Sequence, residues 1–212
     1  MARVSAFEGE LYYYDMILAW VRIIQQKHLL NKAVLLGCGV NEFAENNEFL
    51  YSTASTNDVF VRDVDVWVDY GSLPFEDNSI ECMISTHLTE PGNSIDSLAE
   101  LVRTIVPGGY LLIFYFCPYS LVGAQKLMSK ATDLYPSLTT SFALKRALSK
   151  LSIEIVEENA VSFRPMVFKK KFVDLLYLEI LGATILPCFS SCSFMLVRKI
   201  VDADIYAYGG CV

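Results

Sequence analysis

A glycine-rich tripeptide follows the first strongly apolar run of the chain. Gly37, Cys38 and Gly39 come directly after Ala33–Leu36, a run that suits a parallel strand buried on both faces. Glycine at such a turn lets the backbone approach a ligand that a Cβ atom would block. The tripeptide is therefore a candidate nucleotide-binding loop, with a tight strand-to-helix turn as the alternative interpretation.

Asp69 and Tyr70 form a second candidate, at the end of the β-rich segment Val64–Val68. A carboxylate there can accept a hydrogen bond from an exocyclic amine, and the next backbone N–H can donate to a ring nitrogen. This pair of interactions recognises adenine. The alternative is a turn-capping role for Asp69, because Gly71 and Ser72 follow it.

Thr86 and His87 follow the predicted strand Ile80–Ser85, so we expect them at the same edge of the sheet as the other two segments. Histidine is the usual acid or base in catalysis, which makes His87 the candidate catalytic residue. A hydrogen-bonded structural histidine is the alternative. Tyr119 leaves the next predicted strand and either walls the pocket or packs against the protein.

The composition indicates one folded domain without a nucleic-acid surface. Of the 212 residues, 53% are hydrophobic and only 19% are charged, so intrinsic disorder is not expected. The net charge of −7 argues against a nucleic-acid partner, which needs clustered cations. The six cysteines lack CxxC spacing and there are two histidines, so no metal site is predicted. A reduced, cytoplasmic protein is the simplest expectation.

Hydrophobic periodicity predicts alternating helices and strands. The predicted strands are Ala33–Leu36, Asp58–Val61, Val64–Val68, Ile80–Ser85, Tyr110–Phe116, Ile153–Val156 with a continuation at Val161–Phe163, and Ser193–Ile200. The predicted helices are 9–30, Asn41–Leu50, the segment between Asn93 and Pro107, and Thr140–Lys150. This alternation indicates an α/β sandwich with a mainly parallel sheet in a single domain, 1–212.

Two motifs specify the fold further. LeuProPheGluAspAsnSer (Leu73–Ser79) precedes a strand and a helix, and ProGlyGly (Pro107–Gly109) precedes the next strand. In this order the motifs resemble the class I S-adenosylmethionine-dependent methyltransferases, in particular their type 11 family, over about residues 33–123. The resemblance implies a Rossmann-like, doubly wound sheet with helices on both faces and an antiparallel last strand. Residues 1–32 are then an N-terminal helical cap on the cofactor-binding core.

The resemblance also implies roles for the candidate residues. The cofactor is expected to be S-adenosylmethionine, with S-adenosylhomocysteine as the product. Gly37–Gly39 would hold the methionine part of the cofactor, and Asp69–Tyr70 its adenine. Asp63 and Asp65 are the candidates for binding the ribose, with a solvated turn as the alternative. Thr86 would face the reacting centre.

The glycine loop departs from the pattern of this family. Leu35 occupies the position of an acidic residue that contacts the cofactor, and Asn41 that of a third glycine. Only 29 residues, 40–68, separate Gly39 from Asp69, so one helix is expected to be short or missing. Two hypotheses follow. The chain is either a methyltransferase for a small-molecule or lipid-like acceptor, or a catalytically inactive methyltransferase-like fold that serves as a binding or scaffold protein.

Residues 172–190 are the candidate surface for association. The stretch Phe172–Val197 is strongly apolar, but Asp174 and Glu179 would make a membrane-spanning helix costly. We therefore predict an apolar helical insertion, 166–190, before the last strand. Its broad apolar arc would contact a second copy of the chain, a partner or the surface of a membrane.

Overall fold

The computed structural model of the chain describes residues 16–17, 19–28, 33–36, 51–55, 66–85, 94–128, 138–163 and 189–200. The strands in these ranges are β1 (Val34–Leu36), β2 (Tyr51–Ser55), β3 (Val66–Val68), β4 (Ile80–Ser85), β5 (Ile105–Phe116), β6 (Ile153–Ser162) and β7 (Cys192–Lys199). They form one sheet in the order β3-β2-β1-β4-β5-β7-β6. Strands β1 to β5 pair in parallel, and β7 runs antiparallel to both of its neighbours. The prediction of a mainly parallel sheet with an antiparallel last strand is confirmed.

Helices cover both faces of this sheet. The described helical segments are α1 (residues 16–17 and 19–28), α2 (Ser94–Thr104), α3 (Leu121–Met128) and α4 (Ser141–Leu148). Apolar side chains of α1 and α3 pack on one face, and those of α2 and α4 pack on the other. The predicted doubly wound arrangement is therefore confirmed. No helix within the described ranges has the length and hydropathy needed to cross a membrane.

Successive side chains of the central strands pack alternately into the two hydrophobic cores, one on each face of the sheet. In β1, Leu35 packs towards α1 while Leu36 packs towards α2. In β5, Phe114 and Tyr115 divide between the faces in the same way. Successive side chains of a strand point to opposite faces, so an apolar run such as β1 can be buried on both. Leu35 and Leu36 are 1% and 0% exposed, which confirms that interpretation of the run.

The ProGlyGly motif lies inside a strand rather than at the end of a helix. Helix α2 passes directly into β5, so the predicted helix end at Pro107 and strand start at Tyr110 are both wrong. Gly108 has a φ of 84°, a left-handed conformation that glycine adopts without steric cost. A Cβ on Gly109 would lie 2.8 Å from the carbonyl oxygen of Glu81, on the paired strand β4. The motif thus permits close pairing at a point where the register between β4 and β5 shifts.

The sequence patterns missed β2 and α3. The sequence of β2, YSTAS, is mostly polar, so its place in the sheet comes from pairing with β1 and β3 rather than from apolar alternation. Helix α3 follows a tight turn, and a Cβ on Gly123 would lie 1.9 Å from the carbonyl oxygen of Pro118. The predicted interruption between Val156 and Val161 is absent, because β6 accommodates register shifts and continues.

Several predictions fall on residues outside the described ranges. These are the helix at Asn41–Leu50, the strand at Asp58–Val61, residues 1–15 and 29–32 of the N-terminal cap, and residues 166–188 of the apolar insertion. The proposed association through 172–190 therefore stays a prediction. Phe189, a described residue near the end of this stretch, is half exposed.

Lys199, at the end of β7, ties the carboxyl end of α2 to the connection between β3 and β4. Its Nζ donates to the carbonyl oxygens of Val102 at 2.7 Å and Ile105 at 2.8 Å, and to Asn78 Oδ1 at 2.8 Å. The last carbonyl groups of a helix carry partial negative charge and lack partners within the helix. The ammonium group therefore stabilises both the helix end and the loop.

Replacing Lys199 by methionine keeps most of the aliphatic side chain and removes the ammonium group. We expect Lys199→Met to lower the free energy of unfolding by about 1–2 kcal/mol, because buried carbonyl groups lose a charged donor. Urea denaturation followed by circular dichroism measures the change. Lys150→Met, at an exposed position after α4, is the matched control. Equal losses in the two variants would contradict this role of Lys199.

Candidate functional site

The carboxyl ends of the parallel strands meet at one edge of the sheet. Leu36, the last residue of β1, pairs with Thr53 of β2 and with Ser85 at the end of β4. On the other side of β2, Ser55 pairs with Val68, the last residue of β3. In doubly wound sheets, ligands bind beyond this edge, where the strand order reverses. Here the reversal lies between β1 and β4, so the candidate site is the edge on either side of that pair.

Asp69 follows β3 at this edge and forms a tight turn. The backbone N–H of Gly71 donates to Asp69 Oδ1 at 3.0 Å, and the backbone N–H of Ser72 donates to the Asp69 carbonyl oxygen at 3.0 Å. The predicted turn-capping role of Asp69 is therefore observed. The side chain remains exposed, and no described residue donates to Oδ2. Tyr70 is half-buried against the core between the sheet and α2.

Glu100 and Arg103 of α2 anchor the segment that follows this turn. The backbone N–H of Leu73 donates to Glu100 Oε1 at 2.9 Å, and Arg103 donates to the same carboxylate from Nε at 2.8 Å and Nη2 at 2.7 Å. Arg103 Nη2 also donates to the carbonyl oxygen of Phe75 at 3.0 Å. The hydrogen bond from Arg103 lowers the pKa of the Glu100 carboxyl below its usual value. The network fixes the path of the chain after Asp69 relative to the sheet.

The first two strands contribute little charge to the edge. Leu35 is buried in the core beneath α1, where the resemblance led us to expect an acidic residue. Strand β2 ends in a hydroxyl residue, Ser55. Asp63 lies outside the described residues and comes three positions before β3 begins at Val66, so it does not directly follow β2.

The other predicted site residues also lie outside the described ranges. They are Gly37, Cys38 and Gly39 after β1, and Thr86 and His87 after β4. In the sequence they come directly after β1 and β4, two strands whose carboxyl ends are at this edge. Their roles stay predictions.

A cavity of about 730 Å³ opens beside the end of β5. There, Phe116 of β5 pairs with Cys192 of β7, which pairs in turn with Ser162 of β6. Three aromatic side chains form much of its wall. They are Trp20 of α1, Tyr119 in the turn before α3, and Phe142 of α4. Tyr119 and Phe142 are 70% and 75% exposed, so they are available to a ligand. Of the two predicted roles of Tyr119, the pocket wall is the one observed.

Glu158 is the centre of a hydrogen-bond network in the floor of this cavity. Its Oε1 accepts from the Tyr115 hydroxyl at 2.7 Å and from the Ser141 hydroxyl at 2.5 Å, while its Oε2 accepts from Lys145 Nζ at 2.6 Å. Burial opposes ionisation of Glu158, but the hydrogen bonds from Lys145, Ser141 and Tyr115 outweigh it and lower the pKa of the carboxyl. Burial and the hydrogen bond to Glu158 raise the pKa of Tyr115. Glu158 is thus a carboxylate and Tyr115 a neutral phenol at neutral pH.

Sequence reasoning missed this network. Glu158 lies on an edge strand, and its partners come from β5 and from α4, two separate elements that both precede it in the chain. No short motif links residues so far apart. The alternation of β6 was the available signal: Glu158 pairs with the buried Met195, which places its side chain towards the core.

Comparisons with solved structures show the class of fold. A structure described as an S-adenosylmethionine-dependent methyltransferase, possible histamine N-methyltransferase, from Thermotoga maritima has a TM-score of 0.58 at 16% identity, covering 94% of this chain and all (100%) of that one. Geranyl diphosphate C-methyltransferase from Streptomyces coelicolor A3(2), in complex with S-adenosyl-L-homocysteine, has a TM-score of 0.51 at 13% identity, covering 81% and 74% of the two chains. The [4+2]-cyclase SpnF has a TM-score of 0.57 at 18% identity and covers 87% and 82%. The chain therefore has the class I methyltransferase fold.

Curated relatives match a shorter segment more strongly. Over 87 residues the chain is 37% identical to the ubiquinone/menaquinone biosynthesis C-methyltransferase UbiE of Pseudomonas savastanoi pv. phaseolicola, and 36% identical to UbiE of Pseudomonas fluorescens. The match covers 41% of this chain and 30% of the relatives' length. These similarities confirm the resemblance to class I S-adenosylmethionine-dependent methyltransferases. No family model matches the chain, so membership of the type 11 family stays a prediction.

The lowered pKa of Glu158 gives a pH-dependent contribution to stability. A carboxyl whose pKa is lower in the folded state than in the unfolded state, where it is about 4.3, stabilises the fold above that pH. We therefore expect Glu158→Gln to be less stable than the wild type at pH 7, and the difference to shrink as the pH falls below about 4. Melting temperatures of the two proteins at several pH values measure this.

The exposed carboxyl of Glu154, on the same strand, forms no hydrogen bond or ion pair with another described residue and provides the control. Glu154→Gln should leave the pH dependence close to that of the wild type. A Glu158→Gln difference that stays constant down to pH 3 would contradict the network.

Proposed function

We propose that the chain is a methyltransferase that uses S-adenosylmethionine and acts on a small-molecule or lipid-like acceptor. The observation that carries this proposal is the anchored Asp69 turn at the carboxyl edge of a sheet with the class I methyltransferase fold. The similarity to the UbiE enzymes supports the activity, because those relatives are named as C-methyltransferases. A cytoplasmic location and the absence of a nucleic-acid partner stay predictions.

The Asp69 turn fits the adenine end of this cofactor. One carboxylate oxygen, Oδ1, is occupied by the backbone N–H of Gly71, and the exposed Oδ2 has room to accept from an exocyclic amine. The turn can therefore stay closed while the side chain binds a ligand. This combination reconciles the two interpretations of Asp69, since capping the turn presents the second oxygen to the edge.

The order of the strands indicates how the cofactor would extend along the edge. Adjacent strands lie about 4.8 Å apart, so β3 and β5 are separated by roughly 19 Å across β2, β1 and β4. Adenine at Asp69 and the methionine part at Gly37–Gly39 would direct the sulfonium towards the ends of β4 and β5. Thr86 and His87 follow β4, and the cavity beside β5 follows next. The acceptor would therefore approach from the β5 side.

The bound cofactor would supply an electrophilic methyl group on a sulfonium, which leaves as S-adenosylhomocysteine once an acceptor nucleophile takes the methyl. The chain has to align the acceptor, exclude water and receive the proton that the acceptor loses. His87 is the proposed base or orienting residue. Because alignment contributes most of this work, few catalytic side chains are needed. Leu35 replaces one cofactor contact, so the proposal includes weaker cofactor binding than in relatives with an acidic residue at that position.

The ribose of the cofactor would lie between the adenine at Asp69 and the methionine part at Gly37–Gly39. Asp63 and Asp65 are the candidates from sequence, but Ser55 ends β2, which is the strand whose carboxyl end lies between the proposed adenine and methionine positions. A hydroxyl can share a hydrogen bond with a ribose hydroxyl, although more weakly than a carboxylate. We therefore propose Ser55 as a further candidate, in addition to Asp63 and Asp65, for binding the ribose. Weaker cofactor binding would be the consequence.

Replacing Asp69 by asparagine separates turn capping from adenine binding. The Asn side-chain oxygen can still accept from Gly71, but an NH2 group would face the exocyclic amine in place of Oδ2. We expect Asp69→Asn to weaken binding of S-adenosylhomocysteine by about 1–3 kcal/mol, with a nearly unchanged melting temperature of the free protein. Isothermal titration calorimetry and thermal unfolding measure the two quantities.

Glu76→Gln is the matched control, since Glu76 is an exposed carboxyl in the same β3–β4 connection. It should bind S-adenosylhomocysteine as the wild type does. If Asp69→Asn binds S-adenosylhomocysteine with wild-type affinity, Asp69 caps the turn and does not bind adenine. Absence of binding to the wild type at millimolar concentration would overturn the proposed function.

A further inference from the structure

We propose that the cavity beside β5 binds the methyl acceptor, and that this acceptor is a neutral aromatic molecule with a hydroxyl or N–H group that donates to Glu158. The identification of this ligand as the methyl acceptor rests on the proposed function. The recognition chemistry rests on the cavity alone. Four properties of the cavity carry it: its aromatic wall, its charge balance, the remaining capacity of Glu158 and its position at the edge of the sheet.

The wall favours a planar, apolar molecule. Trp20, Tyr119 and Phe142 come from three separate parts of the chain, and the last two are largely exposed. Exposed aromatic side chains that converge on one concavity bury substantial apolar area when a flat ligand lies against them, and ring pairs add an attraction of their own. Trp20 is held in place by its contact with Phe194, whose ring centroid lies 4.9 Å away.

The charge balance favours a neutral molecule. Among the residues that the structure describes, Lys145 and Glu158 are the charged side chains that line the cavity, and they form an ion pair at 2.6 Å. Their charges compensate each other, so the floor offers no net charge to an ionic ligand. A ligand ion would lose its hydration in the cavity, and the neutralised ion pair would give it little net electrostatic attraction in return. Neutral ligands do not meet this cost.

Glu158 can accept one more hydrogen bond. A carboxylate has about four lone-pair sites, and described residues fill three of them, through Tyr115, Ser141 and Lys145. Two of these donors are on Oε1 and one is on Oε2, so the remaining site is on Oε2. The side chain is 25% exposed, which leaves it accessible from the cavity. A hydroxyl or N–H of the ligand would therefore form a charge-assisted hydrogen bond there.

The position of the cavity makes it suitable for the acceptor. It lies beside the carboxyl end of β5, next to β4 and therefore next to the strand that Thr86 and His87 follow. The Asp69 turn lies at the opposite side of the same edge, after β3. The two ligands would thus occupy separate parts of the edge. Glu158 acts here as a positioning residue for the acceptor, and no proton transfer is assigned to it.

Two probes with the same ring system test the recognition. The first probe, 2-naphthol, has a hydroxyl donor, and the second, 2-methoxynaphthalene, has none. Titrations of the full chain followed by saturation-transfer NMR of the probes should give at least tenfold tighter binding of 2-naphthol. In Glu158→Gln the preference should fall below threefold, because the acceptor loses its charge. An unchanged preference in that variant would overturn the proposal.

A second variant keeps the test independent of the network's stability. Phe142 is exposed, so Phe142→Ala should fold as the wild type does and should weaken both probes by about fivefold. Leu127→Ala, on an exposed residue of α3 that does not line the cavity, is the matched control and should leave both affinities unchanged. Equal affinities of the two probes for the wild type and for Phe142→Ala would contradict the proposed contact between the ligand and the aromatic wall.

The same proteins distinguish this proposal from the proposed function. Glu158→Gln and Phe142→Ala should bind S-adenosylhomocysteine with wild-type affinity in calorimetry, since neither residue is near β3. Wild-type protein that binds S-adenosylhomocysteine but shows no preference for 2-naphthol would overturn the acceptor proposal alone. Wild-type protein that prefers 2-naphthol through Glu158 but does not bind S-adenosylhomocysteine would overturn the proposed function, and with it the identity of the occupant as an acceptor.

Discussion

Strand β4 pairs in parallel with β1 on one side and β5 on the other, and the position of every candidate site depends on this double pairing. Ser85 lies opposite Leu36 and opposite Ile113, so the segments after β1 and β4 leave the sheet at the same edge. Met83 and Ile84 of β4 are 0% and 1% exposed, on opposite faces. A shift of the register by one residue would exchange these faces and is therefore strongly disfavoured. Burial also raises the pKa of the Cys82 thiol to about 12, so this residue packs as a small neutral side chain.

Two groups of polar contacts connect this rigid centre to the site. Glu100 and Arg103 hold the chain that follows the Asp69 turn, and Lys199 holds the end of the helix that carries them. Towards the opposite end of the strand order from β3, Glu158 joins β5, β6 and α4. The Asp69 turn and the cavity beside β5 are therefore each fixed to the sheet by a carboxylate that accepts several hydrogen bonds. Such satisfied networks specify one arrangement because any other leaves buried polar groups unpaired.

The sequence was sufficient for the fold because its signals were local. The apolar run of β1, the alternating helix positions of α2 and the LeuProPhe motif each indicate one element, and the resemblance supplied their order. Prediction from the sequence failed for the polar strand β2, whose place is decided by pairing with its neighbours. It also failed where a glycine permits a close approach of two backbones, as at Gly109 and Gly123. The position of Asp69 at the edge of the sheet, and its turn, were predictable because it follows a strand that the sequence shows. Glu158 was not, because its partners come from distant parts of the chain and only the fold brings them together.

The central claim is that the chain binds the adenosyl group of its cofactor at the Asp69 turn. A crystal structure of the protein with S-adenosylhomocysteine tests this most directly. The account predicts that the adenine amino group lies within hydrogen-bond distance, about 2.7–3.2 Å, of Asp69 Oδ2, with Oδ1 still bound to the backbone N–H of Gly71. Adenine bound elsewhere on the chain, with Asp69 Oδ2 left in solvent, would contradict it.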